Sequence, residues 1–334
     1  LARAHTGRDR VMKIGGGWHG AQPWGLKGVD FHAEDRSRFR HMDTRGLPAA
    51  IGREVLVTRF NDPQILQDHF RRYGDTIACF LLEPFIGSGG FLAADREYLE
   101  EARALSTKHG AVLIFDEVIS GFRFRAGSVS SFYGVQPDLA AYAKVMGGGM
   151  PVAAVAGRSE IMKLAGRGAG VRFSGGTFSA HPASLLAAKT MMSHLEEHEA
   201  QIYTRLNALG EKTRRTVEAA FRSEGLYAVC TGGGNDALPG SSLGMVVFPY
   251  REDTLFRSPE DTRNPRLCDV VLSDKALQLA LLLENVYVVH GLGALSTEHT
   301  EADIEYLGEA CRRAARRIAK LSGSSPVETQ QDRS

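Results

Sequence analysis

The chain has 334 residues, 43% of them hydrophobic and 24% charged, so it can bury a large core, and its length suggests two domains. Lys+Arg number 40 and Asp+Glu 39, a formal net charge of +1, which argues against a nucleic-acid or polyanion binder. Cys79, Cys230, Cys268 and Cys311 are scattered without a zinc-type pair. With no apolar stretch long enough to span a bilayer and no signal-peptide pattern, the expectation is a cytoplasmic protein with reduced thiols.

LARAHTGRDRVMKI reads as the end of a helix, a stop at Gly7 and a strand over Arg10–Gly15. GGGWHG at Gly15–Gly20 matches G-x-G-x-x-G, but Ala21, Gln22, Pro23 and Gly25 leave no helix behind it, so a dinucleotide loop is rejected. Lys27–Gly52 is polar and rich in arginine (Arg36, Arg38, Arg40, Arg45) and reads as a surface loop. Glu54–Phe60 reads as a strand, Asp62–Tyr73 as a helix, and Thr76–Leu82 as a buried strand ending at Glu83. Asp95–His109 reads as an amphipathic helix stopped by Gly110.

Two apolar runs follow. AVLIFDEVISGF ends its run at Asp116, and PDLAAYAKVMGGG ends its run at Lys144, 28 residues later (144 − 116 = 28). Each has the length of a buried parallel strand. Strand and helix alternate from residue 54 to 144, which argues for an α/β fold with a mostly parallel sheet. Such sheets bind ligands at the carboxyl ends of their strands, so a carboxylate and an amine are expected at one pocket edge. A lysine amine can form an imine with an aldehyde cofactor. A carboxylate beside the ring nitrogen of pyridoxal phosphate (PLP) keeps that nitrogen protonated. Glu117 falls on the opposite face of the strand, and Val118 returns to the Asp116 face, where it can pack on a flat ring. The same two residues also fit a helix cap and a solvated lysine, so the pattern alone leaves both readings open.

Gly147–Gly149 permits close backbone approach, and Pro151–Gly157 reads as a short strand. Gly175-Gly176-Thr177, ahead of a helix near Pro182, suits a phosphate-binding turn as well as an ordinary one. His194 and His198 fit H-x-x-E-H, but the charged surroundings read as a solvated face rather than a metal site. Glu199–Phe221 reads as a long helix. Met245–Pro249 and Val286–Val289 read as strands, and Ser273–Glu284 as a helix. Thr300 and Asp303 form a capping box ahead of an apolar stripe of Ile304, Leu307, Cys311, Ala315 and Ile318. Gly232–Ser242 and Asp253–Arg266 read as mobile loops, and 322–334 as a frayed tail.

FDEVISGFR and YAKVMGGGMPVAAVAGRSEIM resemble the signature region of class III (fold type I) PLP-dependent aminotransferases, closest to the branch containing glutamate-1-semialdehyde aminomutase. LLEPFIGSGGFLAADREYLEEARALSTKHGAVLIFDEV is similar to the family's approach to the same acid, and FSGGTFSAHPASLLAA to its phosphate-contacting turn and following helix. The likeness runs from Leu1 to about Ile318. It implies a mostly parallel central sheet with helices on both faces plus a smaller C-terminal α+β domain, divided as 1–210 and 211–334. It implies bound pyridoxal 5'-phosphate, with Lys144 catalytic, Asp116 at the ring nitrogen, and Val118 and Trp18 packing on the ring. His19 follows the stacking aromatic, Glu83 lies at the pocket wall, and Ser88 replaces an Asn near the phenolic oxygen. Gly176 and Thr177 belong to the phosphate turn, Thr177 reaching the partner subunit's cofactor, so a homodimer with shared sites is implied.

In the family an N-terminal arm and a glycine/serine turn that grips the phosphate come before the point matching Leu1. That turn is not among these residues, so either a front portion precedes Leu1 or the site is incomplete. FHAEDRSRFRHMDTRGLP departs from the aminomutase's gating loop. The leading expectation is therefore a transaminase acting on a small amino donor and a carbonyl acceptor, with no metal, nucleic acid or membrane. Aminomutase-type intramolecular transfer is the alternative, and a non-catalytic protein retaining the fold is the reading from another class.

Overall fold

The computed structural model describes residues 1–29, 44–166, 168, 170–172, 175–288 and 293–322. A first unit comprises Leu1–Arg205, Gly234–Gly240 and Phe256–Arg263, and a second comprises Leu206–Gly233, Ser241–Leu255 and the chain from Asn264. The division thus falls inside the helix Glu199–Arg222, and two later segments return to the first unit.

The first unit is built on a six-stranded sheet. Its strands are β1 (Arg10–Ile14), β2 (Val55–Thr58), β3 (Ile77–Leu82), β4 (Val112–Asp116), β5 (Leu139–Tyr142) and β6 (Ala154–Gly157), in the spatial order β2-β1-β3-β4-β5-β6. β1 to β5 are mutually parallel and β6 runs antiparallel on β5. IACFLL of β3 is almost wholly apolar because both of its faces are covered. On one face Cys79, Val112 and Leu139 join Ala2 and Ile161 in a single cluster. On the other, Phe80 meets Phe70 of the helix Pro63–Tyr73 edge-on, with ring centroids 6.4 Å apart.

Local chemistry sets the helix ends. Asp62 accepts the Ile65 N–H at 3.1 Å ahead of Pro63. Gly7 and Gly110, with φ of 69° and 65°, close the helices Ala2–Thr6 and Arg96–His109 in the left-handed conformation that glycine adopts without strain.

The second unit gathers Val217, Phe221, Val246, Phe248, Leu281, Cys311 and neighbouring apolar residues into one core. The Thr300–Asp303 box forms as expected, with the Thr300 N–H donating to Asp303 at 2.7 Å ahead of the helix Glu301–Ser322.

Several expectations need correction. Residues Ala49–Glu54 form a helix, and the strand starts only at Val55. The strand expected over Met245–Pro249 shrinks to Val246–Val247, whose partner is the two-residue Val229–Cys230. Residues 286–288 form no strand: the Val286 N–H donates to Leu281 O and Val288 O accepts from Gln278, so helix end and side chain take the backbone groups. Val289 lies outside the described residues. The two segments expected as mobile loops make long-range contacts within the first unit. Asn235 donates to Ala94 O at 2.9 Å, and Leu238 is buried. Arg59 pairs with Glu260 and Asp261, and Pro259 packs against Gly16 and Gly89.

Candidate active site

Parallel strands bring their carboxyl ends to one edge of the sheet. Four neighbours, β1, β3, β4 and β5, deliver there the loop after Ile14, then Glu83, Asp116 and Lys144. Asp116 closes β4 and is buried, and no helix starts at it, so it is not a helix cap. Its Oδ1 accepts the Val118 N–H at 3.1 Å, and its Oδ2 lies 2.7 Å from His19 Nδ1. A carboxylate only accepts, so the His19 proton sits on Nδ1.

His19 exposes 2% of its side chain. Burial lowers its pKa, Asp116 opposes that by hydrogen bond and charge, and the Lys13 charge adds to the lowering. Burial thus favours the neutral ring, whose Nε2 is buried without a hydrogen-bond partner.

Glu83 is buried, and its two oxygens accept the Trp18 N–H at 3.0 Å and the Gly87 N–H at 2.9 Å. Burial pushes its carboxyl up to about 8, helped by the charge of Asp116 and opposed by the two N–H donors and Lys144. Glu83 accordingly holds a proton at neutral pH. A Cβ added at Gly17 would stand 3.1 Å from His19 Nε2 and 3.4 Å from Glu83 Oε1, so ring and carboxyl flank one glycine.

Lys144 opens the tight turn Lys144–Gly147 with φ +51°, a left-handed conformation that is strained for a residue with a Cβ. Gly148 continues it at φ 57°, beneath the helix Pro182–Glu197, whose Met191 would stand 3.3 Å from a Cβ there. The residue as a whole is exposed, yet its amine loses enough water to fall below its ordinary pKa. Glu83 and Asp116 oppose that lowering and the Arg123 charge adds to it.

The structure thus joins Asp116 and His19 directly and ties Glu83 to the same loop through the Trp18 N–H, with Val118 half-buried beside Asp116. Trp18 is 47% exposed on the same loop as His19, and Ser88 is exposed. Gly176 and Thr177 are exposed ahead of the helix Pro182–Glu197, and no described contact joins them to Asp116 or Lys144. Arg36, Arg38 and Arg40, of the arginine-rich loop, lie outside the described residues. His194 and His198 stack with centroids 4.4 Å apart, and His198 Nδ1 bonds to His194 O.

Two features escaped the sequence reading. One is the His19–Asp116 bond, which joins residues 97 apart in sequence. The other is Lys13, whose signal is a lysine inside the apolar run VMKI. Chemically, a fixed buried acid, a desolvated amine one strand away and an exposed indole suit a flat heterocycle with a basic ring nitrogen and an aldehyde.

A family model described as "Aminotransferase class-III" matches residues 1–226. The chain belongs to the class-III aminotransferase family. This class-III chain is 38% identical over 232 residues to glutamate-1-semialdehyde 2,1-aminomutase of Halorubrum lacusprofundi, covering 69% of this chain and 48% of that protein. It is similar to the crystal structure of an omega-transaminase from Sphaerobacter thermophilus, with TM-score 0.81 and 30% identity, covering 96% of this chain and 70% of that one. A transaminase solved with PLP bound matches with TM-score 0.77 and 26% identity, over 97% of this chain and 70% of that one. The fold is that of the fold type I PLP-transferases. The chain spans about half the length of the curated relatives it matches.

Proposed function

We propose that the protein moves an amino group between an amino donor and a keto acid or aldehyde, using pyridoxal 5'-phosphate held at Lys144. The observation that carries this reading is the Asp116 carboxylate, fixed by His19 at the end of β4, one strand from the Lys144 turn. Asp116 would face the ring nitrogen, with Trp18 and Val118 against the ring, Glu83 at the pocket wall and Ser88 near the phenolic oxygen. Gly176 and Thr177 would serve the phosphate, Thr177 from the second copy of a homodimer with shared sites.

When bound, the cofactor supplies an aldehyde for amines and an electron sink for the carbon that loses a proton. Lys144 takes that proton and returns it, and the lowering of its pKa by desolvation favours the neutral amine this role needs. The His19 Nδ1–H keeps the Asp116 carboxylate oriented. Glu83 holds its own proton and binds the Trp18 N–H, so the stacking residue is anchored at its backbone.

The test is a screen of paired half-reactions with the purified protein, one for the donor and one for the acceptor. Amino transfer predicts ping-pong kinetics in at least one pair. Failure of every amine to convert the loaded protein would count against it. Likeness to an aminomutase at 38% identity favours a second reading, intramolecular transfer within one substrate. That reading predicts isomerisation of a single amino aldehyde without any second carbonyl acceptor.

A further inference from the structure

Lys13 is wholly buried in the middle of the sheet, between Val57 of β2 and Leu81 of β3. An ammonium in such a place is strongly disfavoured unless its donors are met. Its Nζ donates to three carbonyls: Gly17 O at 2.9 Å, Gly25 O at 2.8 Å and Lys27 O at 3.0 Å. All three belong to the loop that leaves β1 and carries Trp18 and His19. The Gly16 N–H closes the base of that loop on Gly28 O at 2.7 Å.

One peptide unit is held at both ends. The carbonyl of Gly17 is bound by Lys13, and the N–H of Trp18, across the same planar bond, is bound by Glu83. With that plane fixed, the backbone entering His19 has little freedom left.

We infer that Lys13 is a positioning residue: by tying Gly17, Gly25 and Lys27 it sets the His19 ring so that Nδ1–H meets Asp116. Clamping carbonyls with a cation is not by itself a sign of function. Arg8 Nη1 does the same to Gly74, Ile77 and His109 at the opposite strand ends, where the His–Asp pair, His109 Nδ1 to the exposed Asp75 Oδ1, is 3.9 Å apart, too long for a hydrogen bond. What distinguishes Lys13 is that its loop delivers the partner of Asp116. The catalytic consequence rests on the reading above, in which Asp116 faces the cofactor ring nitrogen. The positioning itself can be read without cofactor.

The charged or titratable groups facing His19 are Asp116 from β4, Lys13 from β1 and Glu83 from the end of β3. Losing Lys13 removes a positive charge, which raises the proton affinity of His19, and loosens the approach to Asp116, which lowers it; the tautomer, set by the Nδ1–H bond to Asp116, is therefore the readout of positioning. The experiment is nitrogen-15 NMR of histidine side chains in the cofactor-free chain from pH 5 to 8, with His19 assigned by His19→Gln. The wild type should show the single Nδ1–H tautomer wherever the ring is neutral. Lys13→Met should mix the Nδ1–H and Nε2–H tautomers of the neutral ring. Lys13→Gln keeps two N–H donors and should fall between.

Arg8→Met is the matched control. It removes another cation that clamps three carbonyls, Gly74 O, Ile77 O and His109 O, at the strand ends away from the His19 loop. It should lower stability and leave the His19 signals as in the wild type. His19 signals unchanged in folded Lys13→Met or Lys13→Gln, or loss of folding in both, would reduce Lys13 to a structural residue and overturn the inference. Loading with pyridoxal phosphate judges the amino-transfer reading separately: a wild type that fixes no cofactor on lysine defeats that reading and leaves the His19 result standing.

Discussion

Glu83→Gln isolates the buried carboxyl beside the His19–Asp116 pair. In the wild type this carboxyl rises from its ordinary 4.5 to about 8, chiefly through burial. The folded chain therefore binds the proton more tightly than the unfolded chain. The resulting stability is complete below pH 4.5 and is lost as pH rises through about 8. At about 1.36 kcal/mol per pH unit, the loss across that window is about 5 kcal/mol. Glutamine imitates the protonated form in shape and charge but offers a single acceptor oxygen. Either the Trp18 or the Gly87 N–H would then face an amide NH2, which costs about 1–3 kcal/mol. The variant should be the less stable protein near pH 5 by that amount, and the more stable near pH 9 by about 2–4 kcal/mol. Both tryptophans, Trp18 and Trp24, lie in the first unit, so their fluorescence in urea melts reports that unit alone. Wild-type and variant stabilities that run parallel from pH 4.5 to 9 would refute the reasoning.

Asp116→Asn keeps the shape of the acid and removes its charge; donor half-reaction rates should fall by about 100-fold or more, measured by single-turnover absorbance. Asp138 accepts from Leu113 N–H at 2.7 Å and from Arg103 and Arg158 at 2.9 Å each. Burial alone would raise its pKa, but these donors outweigh it and the net shift is downward. Its contribution is present above pH 3.8 and lost as pH falls through the lowered value, so Asp138→Asn should cost about 2–3 kcal/mol at pH 7 and flatten the acid limb of the stability curve. Gly210→Ala would put a Cβ 2.1 Å from Ser241 O, and the forced backbone shift, about 1–3 kcal/mol, exceeds the roughly 1 kcal/mol that alanine contributes to a helix. Hydrogen exchange should quicken in the second unit while tryptophan fluorescence of the first stays unchanged.

The strand ends of the first unit were legible because burial on both faces leaves a continuous apolar run whose end is sharp. β4 stops at Asp116 and β5 just before Lys144, so the acid and the amine could be placed on one edge from sequence. Helix stops at Gly7 and Gly110 were legible for a local reason, the left-handed cap. What escaped the reading depends on contacts distant in sequence. The His19–Asp116 bond spans 97 residues, and the three bonds of Lys13 depend on how a loop folds back over its own strand. In the second unit, apolar runs such as Val286–Val288 look like strands. Their backbone groups are taken instead by Leu281 and Gln278, which no period in the sequence announces. The anchoring of Pro259 against Gly16 and Gly89 is of the same kind, a long-range fit between a proline and two glycines.

The central claim is that Lys144 and Asp116 serve one aromatic ring. Incubating the protein with pyridoxal 5'-phosphate, reducing with borohydride and mapping the modified peptide by mass spectrometry tests it most directly. A single label on the Lys144 peptide, with a shifted cofactor absorbance in Asp116→Asn, is the predicted result. A label on another lysine, or absorbance indifferent to Asp116, would contradict it.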